Sequence, residues 1–214
     1  MKAVILAGGQ GTRLRPYTLT IPKPLLPLGR HPVLEIVLRQ LAHAGCSEAV
    51  ITVAYRANLL RAFFGEGEEV GLRLSYLVEE PPLGTAGALG RLRDWADEPL
   101  LVVNGDLLTD LDYGAIVGHH MERKATTTVG VVKRQVALDF GLVEMSEAGQ
   151  LTGYREKPTL DHHVSMGVNV VDPTALDLIG DGEKVDMPDL HLRAIAEGRN
   201  VECYVADCTW LDIG

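Results

Sequence analysis

The chain contains 214 residues, of which 46% are hydrophobic, and carries a formal net charge of −9 at pH 7. This length accommodates one domain with a sizeable core, and no apolar run approaches the roughly 18 residues that a membrane span requires. The net negative charge disfavours a nucleic-acid partner, because binding to a phosphate backbone needs a field of Lys and Arg side chains. We therefore expect neither a nucleic-acid nor a membrane partner.

Two features of the sequence predict a cytoplasmic protein. The N-terminus carries one Lys and then enters an apparent strand directly, without the pattern of a signal peptide. The three cysteines, Cys46, Cys203 and Cys208, are an odd number without metal-ligand spacing, which suits a reducing compartment. We interpret each cysteine as a small buried apolar residue.

The first half of the chain alternates between strand-like and helix-like segments. Short apolar runs bounded by glycine or proline predict buried strands, and apolar residues at helical spacing predict helices. Strands are predicted over residues 3–7, 49–53, 72–78 and 99–104, and helices over residues 32–41, 58–64 and 84–95. Such alternation implies parallel strands joined by crossovers. We predict a doubly wound, mostly parallel α/β sheet of the Rossmann-like kind, with ligands at the carboxyl ends of its strands.

The second half is richer in strands separated by turn residues. Helices are predicted over residues 112–124 and 188–197, and strands over residues 125–133, 141–145, 151–155, 163–171 and 201–205. The tripeptide Ala148-Gly149-Gln150 predicts a hairpin turn between two of these strands. We interpret residues 1–214 as a single domain with an N-terminal half (1–110) and a smaller β-rich half (111–214).

The stretch from Gly8 to Gly11 follows the first predicted strand and contains three glycines. Glycine takes positive φ readily and lets successive backbone N–H groups turn inward, which makes an anion cradle. Arg13, Arg15 and Lys23 follow closely, so this loop suits a polyphosphate, although a simple tight connection is the alternative for such a turn taken alone. Neither a dinucleotide fingerprint nor a Walker loop fits the spacing.

The motif Gly8-Gly9-x-Gly11-Thr12-Arg13-Leu14-x-Pro16-x-Thr18, followed by Pro22-Lys23-Pro24, resembles the signature of the sugar-1-phosphate nucleotidylyltransferases. This resemblance implies the nucleotide-diphospho-sugar transferase type of fold, with an NTP and a sugar 1-phosphate as substrates. It implies that residues 1–110 form the nucleotide-binding half and residues 111–214 the sugar-phosphate-binding half. It also implies catalytic roles for Arg13, at the β- and γ-phosphates, and for Lys23, at the α-phosphate or the sugar phosphate. The nucleotide-binding residues implied in this loop are Leu6, Ala7, Gly8, Gly9, Gly11 and Thr12.

The segment from Glu79 to Gly87 is the second part of the resemblance. Prolines end the preceding strand, and Gly84 opens a helix whose first N–H groups lack intrahelical partners. In the family this turn holds the nucleoside, which implies nucleotide-binding roles for Glu79, Gly84 and Thr85. The Leu-Gly-Thr-Ala-Gly form is most similar to guanylyltransferases that make GDP-mannose. A carboxylate also suits guanine, which offers two adjacent donors; thymine and uracil remain open.

Asp106 follows the fourth buried strand and is expected to project towards the polyphosphate. A carboxylate at this place would repel the substrate unless a cation lay between them, which implies Mg²⁺. The resemblance supplies Asp212 as the second magnesium-binding carboxylate and gives Asp106 a catalytic role as well. It also implies that the family continues beyond the position of Gly214.

Three further pieces resemble the sugar-phosphate side of these enzymes: Phe140 to Glu144, Glu156 to Pro158, and Met166 to Asn169. By this resemblance Gly141 lets the sugar ring approach the backbone, Glu156 and Asn169 bind sugar hydroxyls, and Lys157 neutralises the sugar phosphate. The pairs His119-His120 and His162-His163 lack carboxylate or Cys partners at ligand spacing. We interpret all four histidines as surface residues.

Two other functions remain as alternatives. One is a non-catalytic, nucleotide-sugar-binding regulatory subunit, against which the intact Arg13, Lys23, Asp106 and Lys157 argue. The other is a glycosyltransferase of similar fold, which would use an Asp-x-Asp metal motif where this chain has Asp106-Leu107-Leu108. Association into a homo-oligomer is left open.

Overall fold

A computed structural model describes residues 1–9 and 11–213 of the chain. The strands are β1 (Lys2–Leu6), β2 (Pro27–Leu28), β3 (His31–Pro32), β4 (Glu48–Val53), β5 (Arg73–Val78), β6 (Leu100–Asn104), β7 (Leu107–Thr109), β8 (Thr127–Ala137), β9 (Leu142–Met145), β10 (Leu151–Arg155), β11 (Thr159–Val171), β12 (Val201–Ala206) and β13 (Trp210–Asp212). The α-helices are α1 (Val33–His43), α2 (Ala57–Phe64), α3 (Gly84–Gly87), α4 (Tyr113–Arg123) and α5 (Met187–Ala196). Over the described residues, no helix combines the length and apolarity that crossing a membrane would require.

Seven of these strands form one sheet in the order β12-β8-β11-β6-β1-β4-β5. Strands β6, β1, β4 and β5 pair in parallel, as the alternation of strands and helices predicted. Strand β11 runs antiparallel to both of its neighbours, β6 and β8, whereas β12 is again parallel to β8. The predicted doubly wound, mostly parallel sheet is thus confirmed, and its strands come from both halves of the chain.

The core lies on both faces of the sheet. On one face, Leu34, Leu38 and Leu41 of α1 recur at helical spacing and pack with Ile5 of β1. On the other face, Val4 packs with Leu190 of α5 and with the 3-10 segments Ala88–Leu92 and Pro173–Leu178. Alternate residues of β1 therefore serve opposite layers, as expected for a strand buried on both sides.

The predicted helix over residues 84–95 is shorter than expected. It is α-helical only in α3 and continues as the 3-10 segment Ala88–Leu92. Glycines at positions 84, 87 and 90 explain the difference, because glycine is among the weakest helix formers. The chain there follows its tertiary contacts instead of a regular helix.

Strands β8 and β11 extend past the edge of the main sheet as a two-stranded arm. They pair from Val131–Ser165 out to Ala137–Thr159, several residues beyond the predicted ends. The arm carries the hairpin lobe, defined as residues 138–158, in which β9 and β10 pair antiparallel. The predicted turn at Ala148-Gly149-Gln150 does join these two strands.

Two of the surface and burial predictions are wrong. His120 is 1% exposed and its Nδ1 bonds the Thr128 hydroxyl at 2.9 Å, because α4 packs this side chain against β8. Cys203 is exposed, whereas Cys46 is buried and its burial raises the thiol pKa to about 11. A short sequence pattern does not show which side of an amphipathic segment faces the sheet.

Candidate active site

A cavity of about 300 Å³ opens beyond the carboxyl ends of β1, β4 and β6. We call it the strand-end cavity. Its lining residues are Leu6, Gly8, Gly9, Thr52, Ala54, Glu79, Pro82, Gly84, Thr85, Asn104 and Asp106. Its position is the one that a doubly wound sheet provides for a ligand. Seven of the predicted site residues meet here although they come from three separate parts of the sequence.

The glycine loop, defined as residues 8–9 and 11–25, borders one side of the cavity through Gly8 and Gly9. Of its three glycines at positions 8, 9 and 11, only Gly11 has a positive φ, of 58°. A Cβ on Gly11 would lie 2.8 Å from the Thr18 side chain, whose hydroxyl donates to the Gly11 carbonyl at 2.7 Å. The expectation of positive φ thus holds for Gly11 alone of the three glycines. Gly11 also makes the contact with Thr18 that holds two parts of the loop together. Arg13 and Thr12 are exposed on the same loop.

Lys23 forms an ion pair with Asp106 at the edge of the cavity. Its Nζ contacts Asp106 Oδ2, and the Lys23 residue is only 8% exposed. A buried ammonium group requires a charged partner, because its desolvation is otherwise costly. The pair joins the glycine loop to the end of β6, so two predicted catalytic residues are in contact.

Strand pairing brings the backbone of the second predicted magnesium ligand, Asp212, close to that of Asp106. Strand β13 pairs antiparallel with β7, and Asp212 lies opposite Leu107, the residue after Asp106. The Ile213 N–H donates to the Asp106 carbonyl at 3.2 Å. The backbone therefore brings together the two aspartates that the sequence placed 106 residues apart. Among the described residues, no cluster of three or more His, Cys, Asp or Glu side chains could hold a metal ion.

Glu79 lies just after β5 and is 4% exposed. Its Oε2 accepts a hydrogen bond from the Leu83 N–H at 2.9 Å, which fixes the turn that precedes α3. Its Oε1 lies beside Gly8, where a Cβ would stand 3.7 Å away. Oε2 is therefore engaged in a hydrogen bond within the protein, whereas Oε1 lies next to Gly8, a second lining residue of the cavity.

The first N–H groups of α3 lack intrahelical partners, as predicted, but they are not open to a ligand. Residues 183–187, which we call the strap, supply the acceptors. The N–H groups of Ala86 and Gly87 donate to the Val185 carbonyl at 2.9 and 3.0 Å, and the Thr85 N–H donates to Asp186 Oδ1 at 3.0 Å. The N-terminus of α3 therefore packs against the strap. Gly84 and Thr85 line the cavity next to this contact.

The predicted sugar-binding residues of the hairpin lobe do not line the strand-end cavity. Glu156 and Lys157 are exposed, and Glu156 Oε2 accepts a hydrogen bond from the Tyr154 hydroxyl at 3.0 Å. The space above Gly141 is filled by Tyr154, since a Cβ there would lie 2.1 Å from the tyrosine oxygen. Gly141 therefore accommodates a neighbouring side chain in this structure.

Asn169, the remaining predicted sugar ligand, is 4% exposed and lies opposite Val102 of β6. Its Oδ1 bonds Nε2 of His191 on α5 at 3.1 Å, and His191 Nδ1 bonds the Thr127 hydroxyl at 3.0 Å. Burial lowers the pKa of His191 to about 4, so the imidazole is neutral near pH 7. His191 could not be identified from local sequence patterns, because its partners lie 22 and 64 residues away.

A bulge in β11 lies between Asn169 and the arm. The pairing shifts between Ser165 and Asn169, so three residues of β11 face only Gly130 of β8. At the bulge Gly167 has a φ of 74°, and a Cβ there would lie 2.5 Å from the Asn104 amide nitrogen. This glycine lets the arm pass close to a lining residue of the cavity.

The cavity lies outside the strand ends of a doubly wound sheet, and this architecture places the chain among the Rossmann-like α/β proteins. The sequence matches the nucleotidyl transferase family over residues 2–214, and the chain belongs to this family. The family membership predicted from the glycine-loop motif is therefore confirmed.

The curated relatives are named for sugar-1-phosphate nucleotidyltransferases. The chain is 30% identical over 233 residues to the UTP–glucose-1-phosphate uridylyltransferase of Synechocystis sp., covering 100% of this chain and 60% of the relative. It is 33% identical over 221 residues to the mannose-1-phosphate guanylyltransferase of Mycobacterium tuberculosis, covering 99% of this chain and 60% of the relative. The chain thus spans 60% of the length of these two proteins.

Solved structures share the fold. A Bacillus anthracis protein described as a glucose-1-phosphate thymidylyltransferase superposes with a TM-score of 0.78 at 24% identity, over 99% of this chain and 89% of that chain. HddC from Yersinia pseudotuberculosis superposes with a TM-score of 0.75 at 20% identity, over 99% of this chain and 93% of its own.

Proposed function

We propose that the chain transfers a nucleotidyl group from an NTP to a sugar 1-phosphate, with release of pyrophosphate. The observation that carries this proposal is the Lys23–Asp106 ion pair at the strand-end cavity, which sets a buried ammonium group beside a carboxylate that lines the cavity. Family membership supports the same reaction class. We propose NTP and sugar 1-phosphate as the partners of this site.

The reaction needs little from the protein beyond positioning and charge. A sugar phosphate oxygen attacks the α-phosphorus in line, a new P–O bond forms, and the bond to the β-phosphate oxygen breaks. The electron pair leaves with pyrophosphate, and since the nucleophile is already an anion, no general base is required. Catalysis then depends on orientation and on neutralising charge in the transition state.

Lys23 and Arg13 supply positive charge in this scheme. Lys23 is held in place by Asp106 and by its burial, so its ammonium group is already positioned before substrate binds. It would neutralise charge at the α-phosphate or the incoming sugar phosphate. Arg13 is exposed on the glycine loop and would bind the β- and γ-phosphates. The backbone of the glycine loop, from Gly8 to Thr12, would hold the same phosphates.

Asp106 and Asp212 would hold a magnesium ion. Carboxylate oxygens are the ligands that Mg²⁺ prefers, and it usually takes one or two of them together with phosphate oxygens and water. The approach of the two aspartates through β7 and β13 fits this donor set. When bound, Mg²⁺ would neutralise negative charge on the triphosphate.

We propose GTP as the nucleotide and mannose 1-phosphate as the sugar substrate. The buried Glu79 carboxylate supports a guanine base, because guanine presents two adjacent donors that carboxylate oxygens accept. Glu79 Oε2 already accepts the Leu83 N–H, so Oε1 would be its principal acceptor for the base. Relatives named for uridylyl and guanylyl transfer are both similar to the chain, so uridine and thymidine nucleotides belong in the test.

On the sugar side we propose Glu156, Lys157 and Asn169 as ligands, with Gly141 beside the ring. For this, the Tyr154 side chain that packs over Gly141 would have to rotate. Exposure on a lobe carried by a two-stranded arm permits such a change.

A substrate matrix tests the proposal. The protein is incubated with each of ATP, GTP, UTP, CTP and dTTP against several sugar 1-phosphates with Mg²⁺, and phosphate is measured after pyrophosphatase. We expect pyrophosphate release and a nucleotide sugar, with GTP and mannose 1-phosphate as the best pair. Absence of product with every pair would contradict the reaction class, and a better rate with another pair would contradict only the proposed substrates.

A further inference from the structure

We propose that α5 positions residues on two sides of the site. Asp186, at the N-terminus of α5, holds Thr85 on the nucleotide wall, which is the side of the strand-end cavity that Thr85 lines. His191 holds Asn169 on the sugar wall, which is the side that carries this proposed sugar ligand. This inference rests on the proposed function and adds two positioning residues to it.

Thr85 makes two hydrogen bonds to Asp186 and a third to Met187, the first residue of α5. The Thr85 N–H and hydroxyl donate to Asp186 Oδ1 at 3.0 and 3.3 Å, and the Met187 N–H donates to the Thr85 hydroxyl at 2.7 Å. Thr85 is a lining residue of the strand-end cavity, whereas Asp186 and Met187 are not. These bonds therefore fix a ligand-facing residue from outside the cavity.

The strap lies against α3 too closely for any side chain between them. A Cβ on Gly84, whose φ is 82°, would lie 2.5 Å from the Val185 carbonyl oxygen. A Cβ on Gly87 would lie 2.5 Å from the Glu183 carbonyl oxygen. Because Gly84 and Gly87 have no side chains, the strap packs directly against α3, and this contact fixes the position of the nucleotide wall.

The strap is also attached to α5. Both Glu183 carboxylate oxygens accept hydrogen bonds from Arg193, at 2.6 and 2.9 Å, and Oε2 accepts the Gly180 N–H at 2.8 Å. The Arg193 guanidinium, with the Gly180 N–H, lowers the pKa of Glu183 to about 2. The strap and α5 are therefore one connected unit at neutral pH.

On the sugar wall, His191 determines how the Asn169 amide is oriented. A neutral imidazole carries one N–H, and the Asn169 Oδ1 acceptor at 3.1 Å assigns that hydrogen to Nε2. His191 Nδ1 then accepts from the Thr127 hydroxyl at 3.0 Å. With Oδ1 engaged in this way, Asn169 has its amide N–H groups to offer, so it would act as a hydrogen-bond donor to a sugar hydroxyl.

Asp186 and His191 are five residues apart, which is about 7.5 Å along a helix. One short rigid element thus holds a contact on the nucleotide wall and a contact on the sugar wall. We expect the two contacts to affect different substrates, since Thr85 lines the strand-end cavity and Asn169 is the proposed sugar ligand.

The nucleotide wall is tested with Asp186→Ala and Asp186→Asn. Alanine removes the acceptor for Thr85, so we expect the KM for the NTP to rise about fivefold or more, with the KM for the sugar 1-phosphate unchanged. Asparagine keeps Oδ1 as an acceptor and is an equally good residue at a helix N-terminus, so it should restore the KM.

Asp112→Ala is the matched control. Asp112 precedes α4 and accepts the Ala115 N–H at 3.1 Å, so alanine also removes a helix cap, but away from the cavity. A merely structural effect would lower thermal stability in both alanine variants and leave both KM values as in the wild type. Equal KM values for Asp186→Ala and the wild type would overturn the assignment of Asp186.

The sugar wall is tested with His191→Phe and His191→Gln. Phenylalanine fills the space without the hydrogen bonds, so we expect the KM for the sugar 1-phosphate to rise about fivefold or more and the KM for the NTP to stay constant. Glutamine keeps a donor for Asn169 and should recover part of the loss. Thr127→Val, which removes the bond to Nδ1, gives a second route to the same result if His191→Phe does not fold.

His120→Phe is the control for the sugar wall, because His120 makes the same kind of buried bond, to Thr128, on the other side of β8. A rise in sugar KM for His120→Phe equal to that for His191→Phe would overturn the inference. If the wild type forms no nucleotide sugar, the proposed reaction fails, and calorimetric titration with GTP and with mannose 1-phosphate then tests the same variants by Kd. Unchanged Kd values would overturn the positioning roles.

Discussion

Lys23 and Glu79 beside the strand-end cavity are 8% and 4% exposed, whereas Phe140 and Tyr154 on the hairpin lobe are 81% and 59% exposed. On the proposed nucleotide side, Lys23 is held by its ion pair with Asp106, and Glu79 is held by a hydrogen bond from the Leu83 N–H. On the proposed sugar side, Glu156 and Lys157 lie on the lobe carried by the arm and face solvent. We infer that the nucleotide side is organised before substrate binds, while the lobe acquires its final geometry with the sugar phosphate present. The predictions below test this contrast.

The largest effect is expected for Lys23→Ala. Loss of a preorganised ammonium group at the reacting phosphates removes transition-state stabilisation, so we expect kcat to fall by roughly 100- to 1,000-fold. Lys2→Ala is the control, because Lys2 pairs with Asp97 at 2.5 Å near the opposite end of β1, away from the cavity. Measured in steady-state pyrophosphate release, near-normal turnover in Lys23→Ala would contradict its proposed role.

Next in size is Lys157→Ala on the lobe. Removal of an exposed cation that binds the sugar phosphate should raise the KM for the sugar 1-phosphate by roughly 30-fold, with a small change in the KM for the NTP. Arg155→Ala removes a neighbouring exposed cation, which lies 3.8 Å from Glu144, and serves as the control. If both variants change the KM equally, the effect is one of net charge and the specific role of Lys157 is wrong.

A smaller effect is expected for Glu79→Gln. Glutamine can still accept the Leu83 N–H, but its amide group presents a donor where guanine needs an acceptor, so the preference for GTP over UTP should fall about tenfold. Glu80→Gln is the control, since Glu80 is the exposed neighbour. The ratio of kcat/KM values for GTP and UTP is the measurement, and an unchanged ratio would exclude Glu79 from base recognition.

The smallest effect is expected for Gly11→Ala, on stability. A side chain at a φ of 58° is strained and would lie 2.8 Å from Thr18, so the free energy of unfolding should fall by about 1–2 kcal/mol. At Gly9 a Cβ would meet no atom within 4 Å, so Gly9→Ala should be better tolerated. Urea unfolding of both variants gives the comparison; equal stability would show that the loop readily rearranges.

The parts of this protein that the sequence predicted are those set by local pattern. The apolar runs gave β1, β4, β5 and β6, and the spacing of Gly8, Gly11 and Lys23 identified the glycine loop. Pattern alone does not define strand direction, so the antiparallel β11 was not foreseen. The bond between His191 and Asn169, and the strap over Gly84, depend on residues that meet only after the chain has folded. The same holds for the short strands β7 and β13, whose pairing brings Asp212 to Asp106.

The arm formed by β8 and β11 has a consequence for the choice of sugar. Each residue added to or removed from a β-strand changes its length by about 3.4 Å, so the number of cross-strand pairs between the bulge and Pro158 sets how far Lys157 stands from Asn169. If the proposed sugar ligands are correct, the length of the arm would therefore limit the size of the sugar that fits between Asn169 and Lys157. In chains with the same sheet and glycine loop, arms of different length would match sugars of different size without any change at the nucleotide wall.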